Sequence, residues 1–126
     1  MGFADAKLKK AILCRSQAVE DEIEISVQEV AALLRSDQPP PLIDVREEFE
    51  REICQIPGSR HLTEALADEI LKDWDKEQLI IFSCHLGGRS RGAAEYFKQE
   101  GFKQVKNLTG GIEAWSLEID PSVPRY

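Results

Sequence analysis

Cys84-His85-Leu86-Gly87-Gly88-Arg89-Ser90 directly follows the apolar run Leu79-Ile80-Ile81-Phe82-Ser83 and precedes a stretch of helical periodicity. A cysteine in that setting has the surroundings a thiolate nucleophile requires. Successive backbone N–H groups of a glycine-containing loop form a concave anion nest, and the following helix adds the positive end of its dipole. Both favour the ionised sulfur, so the pKa of Cys84 is expected well below the free value of about 8.5. Gly87 and Gly88 permit the positive φ angles and close approach that such a nest needs. Arg89 and Ser90, at the start of the helix, are placed to orient an anionic group or to brace the loop, while His85 and Leu86 complete it.

The segment ahead of Cys84 is short, apolar and bounded by turn signals, which predicts a central parallel strand over 78–82. Ligand sites in open α/β sheets lie at the carboxyl ends of such strands. A charged, weakly helical arm is expected over 1–24, ending in Glu20-Asp21-Glu22, with the domain proper starting at Ile25-Ser26-Val27. Ser26 and Glu29 form a capping-box signature for a helix over 27–34, which Pro39-Pro40-Pro41 stops. Leu42-Ile43 opens a buried strand ending at Asp44-Val45-Arg46. A short amphipathic helix over 47–53, a turn at Ile56-Pro57-Gly58 and a strand over 60–62 follow. A Thr63-capped helix then runs through Trp74, and a helix over 89–99 ends at Gly101. A strand over 105–108 leads through Thr109-Gly110-Gly111 into a last helix over 112–117, and the tail over 120–124 is expected to be extended. This alternation implies an α/β fold in one domain over 25–126: right-handed crossovers and a short central parallel sheet of about five strands with helices on both faces.

The 126 residues, 42% apolar and 31% charged, suit one soluble globular domain with a single core. A net charge of −7 argues against nucleic acid as a partner, and it repels small anions at long range. An anionic substrate must therefore be held by local field, which the loop with His85, Arg89 and Arg91 supplies. The three cysteines, Cys14, Cys54 and Cys84, form neither a CxxC pair nor a cluster with histidine, so no metal site is expected. An odd count without a disulfide framework fits a reducing compartment. No stretch reads as a membrane span, a signal core or an acylation site, and a cytoplasmic location is expected.

Four segments together resemble the single-domain rhodaneses, the fold of thiosulfate and related sulfurtransferases, over roughly residues 24–126. Leu42-Ile43-Asp44-Val45-Arg46-Glu47 resembles the family's amino-terminal signature, and Ile56-Pro57-Gly58-Ser59 its following turn. Cys84-x-x-Gly87-x-Arg89-Ser90 resembles the active-site loop, and Asn107-Leu108-x-Gly110-Gly111-Ile112-x-x-Trp115 the carboxy-terminal signature. The chain departs from many members in having Glu52-Ile53-Cys54-Gln55 where a Gly-His pair precedes the turn. That variant, with the ending from Ile119 to Tyr126, is similar to the rhodanese domain fused behind enzymes that adenylate ubiquitin-like sulfur carriers.

The resemblance implies a sulfurtransferase in which Cys84 takes a sulfane sulfur from thiosulfate or a persulfide donor and passes it to a thiophilic acceptor. No metal or organic cofactor is implied, because the cysteine itself carries the sulfur. It implies Cys84 and Arg89 as catalytic residues, with His85, Leu86, Gly87, Gly88 and Ser90 contacting the donor and Asp44 and Arg46 beside the site. A ubiquitin-like sulfur-carrier protein or a cysteine desulfurase is an implied partner. Two other functions remain open from sequence: a non-catalytic rhodanese-like binding module and a phosphatase on the same fold. The phosphatase loop is one residue longer between cysteine and arginine, to wrap a tetrahedral phosphate, whereas here four residues intervene.

Overall fold

The computed structural model describes residues 22–126, so Cys14 and most of the expected amino-terminal arm lie outside the described residues. Five strands, β1 (Glu24–Ile25), β2 (Leu42–Asp44), β3 (Arg60–His61), β4 (Leu79–Ser83) and β5 (Gln104–Leu108), form one sheet in the order β1-β5-β4-β2-β3. Every pairing is parallel, with Ile43 opposite Phe82 and Phe82 opposite Asn107. The helices are α1 (Val27–Leu34), α2 (Glu48–Ile53), α3 (Glu64–Asp73), α4 (Gly88–Gln99) and α5 (Gly111–Glu118). The expected α/β architecture is therefore present, with β4 at the centre of the sheet.

Alternation along the strands divides the core into two layers. Leu42, Ile81 and Leu108 pack with Val27, Val30 and Ala31 of α1 and with Ile112 and Trp115 of α5. Ile43, Ile80, Phe82 and Val105 face the other way, against Leu66 and Ile70 of α3 and Ala94 and Phe97 of α4. Phe82 and Phe97 stack with ring centroids 5.3 Å apart. Each of these fully buried Ile, Leu or Phe side chains contributes roughly 1.5–3 kcal/mol. β4 is covered on both faces, and Cys84 sits just past its carboxyl end. No helix among the described residues is long and apolar enough to cross a membrane.

The helix starts follow local chemistry. Ser26 Oγ accepts from Glu29 N at 3.1 Å, and the Glu29 carboxylate in turn accepts from Ser26 N at 3.4 Å, so α1 opens on the capping box. Thr63 Oγ1 caps α3 through Leu66 N at 3.1 Å. Neither α4 nor α5 has a side-chain cap; each begins after a glycine in the left-handed region.

Two expectations change. Glu24 and Ile23, assigned by sequence to the arm, belong to the fold. Ile23 is buried, and its carbonyl accepts from Asn107 N at 2.7 Å, which brings Glu24–Ile25 alongside β5 as an edge strand. Two residues are too few for a periodic signal; long-range pairing makes this strand. The tail is not extended throughout. Val123 N donates to Asp120 O at 3.0 Å, Asp120 Oδ1 accepts from Ser122, and Ser116 Oγ donates to Val123 O at 2.6 Å. This turn buries Val123 and aims Tyr126 back at the carboxyl end of the sheet.

The second glycine turn serves the first. Gly111 has φ +63°, and a Cβ there would lie 2.4 Å from His85 O and 2.6 Å from Cys84 O. That closeness lets the first N–H groups of α5 bond the loop: Ile112 N donates to Cys84 O at 2.9 Å and Glu113 N to His85 O at 3.1 Å. Gly111→Ala is therefore expected to cost about 1–3 kcal/mol from backbone strain, read as a lower urea midpoint, and to raise the Cys84 titration midpoint. An unchanged thiol titration in that variant would show that α5 does not hold the loop.

Candidate active site

Cys84 is the first residue past β4 and is 1% exposed. Its surroundings are polar: Sγ accepts from Gly87 N at 3.1 Å, Ser90 N at 3.4 Å and Ser90 Oγ at 3.2 Å. Burial raises the thiol pKa; the Ser90 hydroxyl and the N–H groups of Ser90, Gly87 and Leu86 lower it by more, and the net effect is a lowered value. The donors are thus Leu86, Gly87 and Ser90. The loop closes because Gly87, at φ +106°, reverses the chain so that its own N–H and the first turn of α4 point at the sulfur. The carbonyls of Cys84 and His85 are drawn outward to α5, which leaves the N–H side facing in.

Behind Ser90 lies a polar chain that the sequence does not reveal. Ser90 Oγ is 2.5 Å from Asn107 Oδ1, while Asn107 Nδ2 donates to Gly87 O at 3.0 Å and to Glu24 Oε2 at 2.9 Å. Glu24 also accepts from Thr109 Oγ1 at 2.6 Å and from Arg91 at 2.7 Å. Partial burial raises its carboxyl, yet these donors bring it below the ordinary value. Asn107 belongs to the carboxy-terminal signature, but Gln104 and Lys106 in the same strand are also polar, so its residue type gives no local signal; what sets it apart is burial, at 2% exposed.

The rim is organised by Glu50, which the sequence places on an amphipathic helix without further role. Arg89 NH1 and NH2 donate to its two oxygens at 2.8 and 2.9 Å, Glu47 N to Oε2 at 3.0 Å and Tyr126 OH to Oε1 at 2.7 Å. The Arg89 pair is the largest cause that holds the Glu50 carboxyl far below the carboxylate range, against its desolvation. Arg89 itself remains 48% exposed at its side chain, and its cation is favoured by Glu50 and by the Cys84 charge. Tyr126 stacks on His85 with centroids 4.1 Å apart and planes 12° from parallel. Leu86 projects outward at 65% exposed, and Gly88 opens α4 at the surface.

Asp44 and Arg46 lie beside the site as an ion pair turned inward, the structural one of the two roles open to Arg46 from sequence. Arg46 is 2% exposed; its Nε and NH2 donate to Asp44, NH2 also to Cys54 O at 2.7 Å, and NH1 to Tyr126 OH at 2.9 Å and Glu50 O at 3.3 Å. Asp44 takes a further bond from Arg51 at 2.9 Å. Burial pushes the Asp44 carboxyl up, but Arg46 and Arg51 pull it lower still, to a net depression. The pair fastens β2 to α2 and to the tail. Among the described residues no group of three or more His, Cys, Asp or Glu side chains is arranged to hold a metal ion.

Asp44 and Glu50 titrate lower in the folded chain than in the unfolded one. The stability they contribute is complete above about pH 5 and is lost as the pH falls toward their native values. The urea midpoint of the protein should therefore decline as the pH drops below about 5. Glu50→Gln should flatten that decline; an acid slope identical to wild type would remove Glu50 from this account.

A family model described as the rhodanese-like domain matches residues 26–118. Over 138 residues the chain is 33% identical to the chloroplastic rhodanese-like/PpiC domain-containing protein 12 of Arabidopsis thaliana, an alignment that covers 96% of this chain and 46% of that protein. It is 37% identical over 118 residues to an adenylyltransferase and sulfurtransferase of Drosophila yakuba, covering 87% of this chain and 26% of that protein. The chain thus spans less than half the length of either relative. A crystal structure of a rhodanese-like domain protein from Staphylococcus aureus has the same fold, with a TM-score of 0.65 at 24% identity over 82% of this chain and 97% of that one. With the parallel sheet, the cysteine loop at its carboxyl edge and a family match across most of the described residues, the chain belongs to the rhodanese family.

Proposed function

We propose that this protein is a sulfurtransferase that carries a sulfane sulfur as a Cys84 persulfide. The observation that supports this most directly is the sulfur itself, recessed yet surrounded by N–H and O–H donors that lower its pKa. As a thiolate, Cys84 attacks the outer sulfur of thiosulfate. A new Sγ–S bond forms, the S–S bond of the donor breaks, and sulfite leaves with the bonding pair. The negative charge then rests on the outer sulfur of the persulfide. A thiophilic acceptor attacks that sulfur, and the electron pair of the broken bond returns to Sγ.

The chain's own groups serve each stage. The loop N–H groups stabilise the anion without rearranging, a kind of contact worth about 3 kcal/mol per donor in other enzymes. Glu50 takes the hydrogen bonds of both Arg89 terminal nitrogens and neutralises the pair at long range. The part of Arg89 is thus short-range: its guanidinium, 48% exposed, contacts an anionic donor that has entered the mouth. The donors around Sγ favour the thiolate, which lessens the need for a separate base to abstract its proton. The likeness to an adenylyltransferase and sulfurtransferase supports a protein acceptor, a ubiquitin-like sulfur carrier, with a cysteine desulfurase as the donor. A reducing, cytoplasmic setting suits a free thiol at Cys84.

Two observations weigh against the other readings. A phosphatase needs an arginine free to fork onto phosphate, and here both terminal nitrogens of Arg89 are on Glu50. A binding module has no need of a sulfur held by three donors.

Thiosulfate treatment should yield a protein heavier by one sulfur atom in intact-mass spectra, reversed by cyanide or dithiothreitol. Cys84→Ser should abolish both loading and transfer to cyanide while keeping the wild-type circular dichroism spectrum. Hydrolysis of p-nitrophenyl phosphate without any sulfur loading would reverse the assignment.

A further inference from the structure

The hydroxyl of Ser90 has one hydrogen and two acceptors within reach. Oγ lies 3.2 Å from Cys84 Sγ and 2.5 Å from Asn107 Oδ1. A serine hydroxyl donates once, so the two contacts compete. Turning the Asn107 amide over does not remove the competition. Its Nδ2 faces Gly87 O at 3.0 Å and Glu24 Oε2 at 2.9 Å, both acceptors, and the exchanged amide would set its oxygen against a carbonyl and a carboxylate. Asn107 is 2% exposed, so water does not substitute readily for these partners. Its Oδ1 is a fixed acceptor aimed at Ser90.

We propose that Asn107 is a positioning residue that sets the ionisation of Cys84 by competing with its sulfur for the Ser90 hydrogen. With Cys84 as a thiol, Sγ–H donates to Ser90 Oγ and Ser90 donates to Asn107, so every group is paired. With Cys84 as a thiolate, the Ser90 hydrogen turns to Sγ and Asn107 Oδ1 loses its donor. Asn107 therefore limits how far the loop depresses the thiol, leaving a sulfur that is ionised but still nucleophilic. In the persulfide the charge has moved to the outer sulfur, the inner sulfur no longer demands a hydrogen, and Ser90 returns to Asn107. The arrangement favours the loaded state over the bare thiolate.

The loaded-state consequence rests on the sulfurtransferase reading; the thiol titration does not. Other charged groups on the packed elements are Arg89 and Arg91 of α4, Glu50 of α2, Asp44 of β2 with Arg46 beyond it, Glu24 of β1, Glu113 of α5 and the loop's own His85. Tyr126 of the tail is the remaining titratable neighbour. None of these groups is itself substituted; Glu24 loses its bond from Asn107 Nδ2 in every Asn107 variant, with or without Ser90, so that loss is common to the two backgrounds compared.

The test is the pH dependence of iodoacetamide alkylation of the full chain, followed at the Cys84 peptide by mass spectrometry. Asn107→Ala should lower the midpoint by about half to one pH unit, the range expected for one hydrogen bond. In a Ser90→Ala background the same substitution should leave the midpoint unmoved. Asn107→Leu, of similar volume and without an acceptor, should lower the midpoint in the same way, and only with Ser90 present. Should Asn107→Ala not fold, the Leu variant carries the comparison. Shifts of the same size in both backgrounds, or no shift, overturn the proposal. A titration cycle as expected with no sulfur loaded from thiosulfate would overturn the sulfurtransferase reading and leave this one standing.

Discussion

An anionic sulfur at the carboxyl end of a doubly covered strand is tolerable only if the backbone turns its N–H groups toward it. Cys84 is 1% exposed, and desolvation by itself pushes the thiol toward its neutral form. Each unit by which the pKa moves corresponds to about 1.4 kcal/mol of preference between the two forms. The Ser90 hydroxyl and the amides of Leu86, Gly87 and Ser90 reverse the sign of that preference. Much of the surrounding architecture follows from keeping those donors aimed inward. Gly87 turns the chain in the left-handed region, and the loop's carbonyls must go elsewhere. They find the amides of Ile112 and Glu113, which can come close only because Gly111 has no side chain.

The charged groups around the loop divide the work in a way that residue types alone do not suggest. Asp44 and Arg46 have the chemistry to bind an anion, but they are sealed in the interior and bound to each other, to Arg51 and to the backbone of Cys54. Breaking such a buried pair leaves an unpartnered charge, so it fixes geometry more than it adds net stability. Glu50 is the hub of the rim. It joins α2 to the first turn of α4 through Arg89 and to the tail through Tyr126. Tyr126 in turn meets Arg46 and stacks on His85, so the end of the described fold forms one wall of the mouth. A protein with a large negative charge thereby keeps a positive group at its candidate site, held in one orientation by an internal carboxylate.

The parts of the fold with strong local codes were legible. The apolar run of β4, the Ser26–Glu29 capping box, the Thr63 cap and the two glycine turns each carry their conformation within a few residues. Edge strand β1 was not legible, because two residues have no period and its only reason to exist is pairing with β5. The tail's turn depends on Asp120 and Ser122 locally, but its direction depends on Val123 finding the core and Ser116 finding its carbonyl. Among site residues, Cys84 and its glycine loop were legible as a nest. Glu24, Glu50, Asn107 and Tyr126 were not, since each reaches the loop from a distant element.

What the sequence determined by itself was the candidate centre and the scaffold type: a cysteine at the end of a buried strand, glycines that let amides converge, and an alternation that forces a parallel sheet. These are short-range facts, set by φ/ψ limits and by burial periodicity. Only the tertiary structure decided which polar groups would be spent on one another and which left for a ligand. Hydrogen-bond capacity is finite, and partners 17 or 39 residues apart compete for it only once the chain has packed.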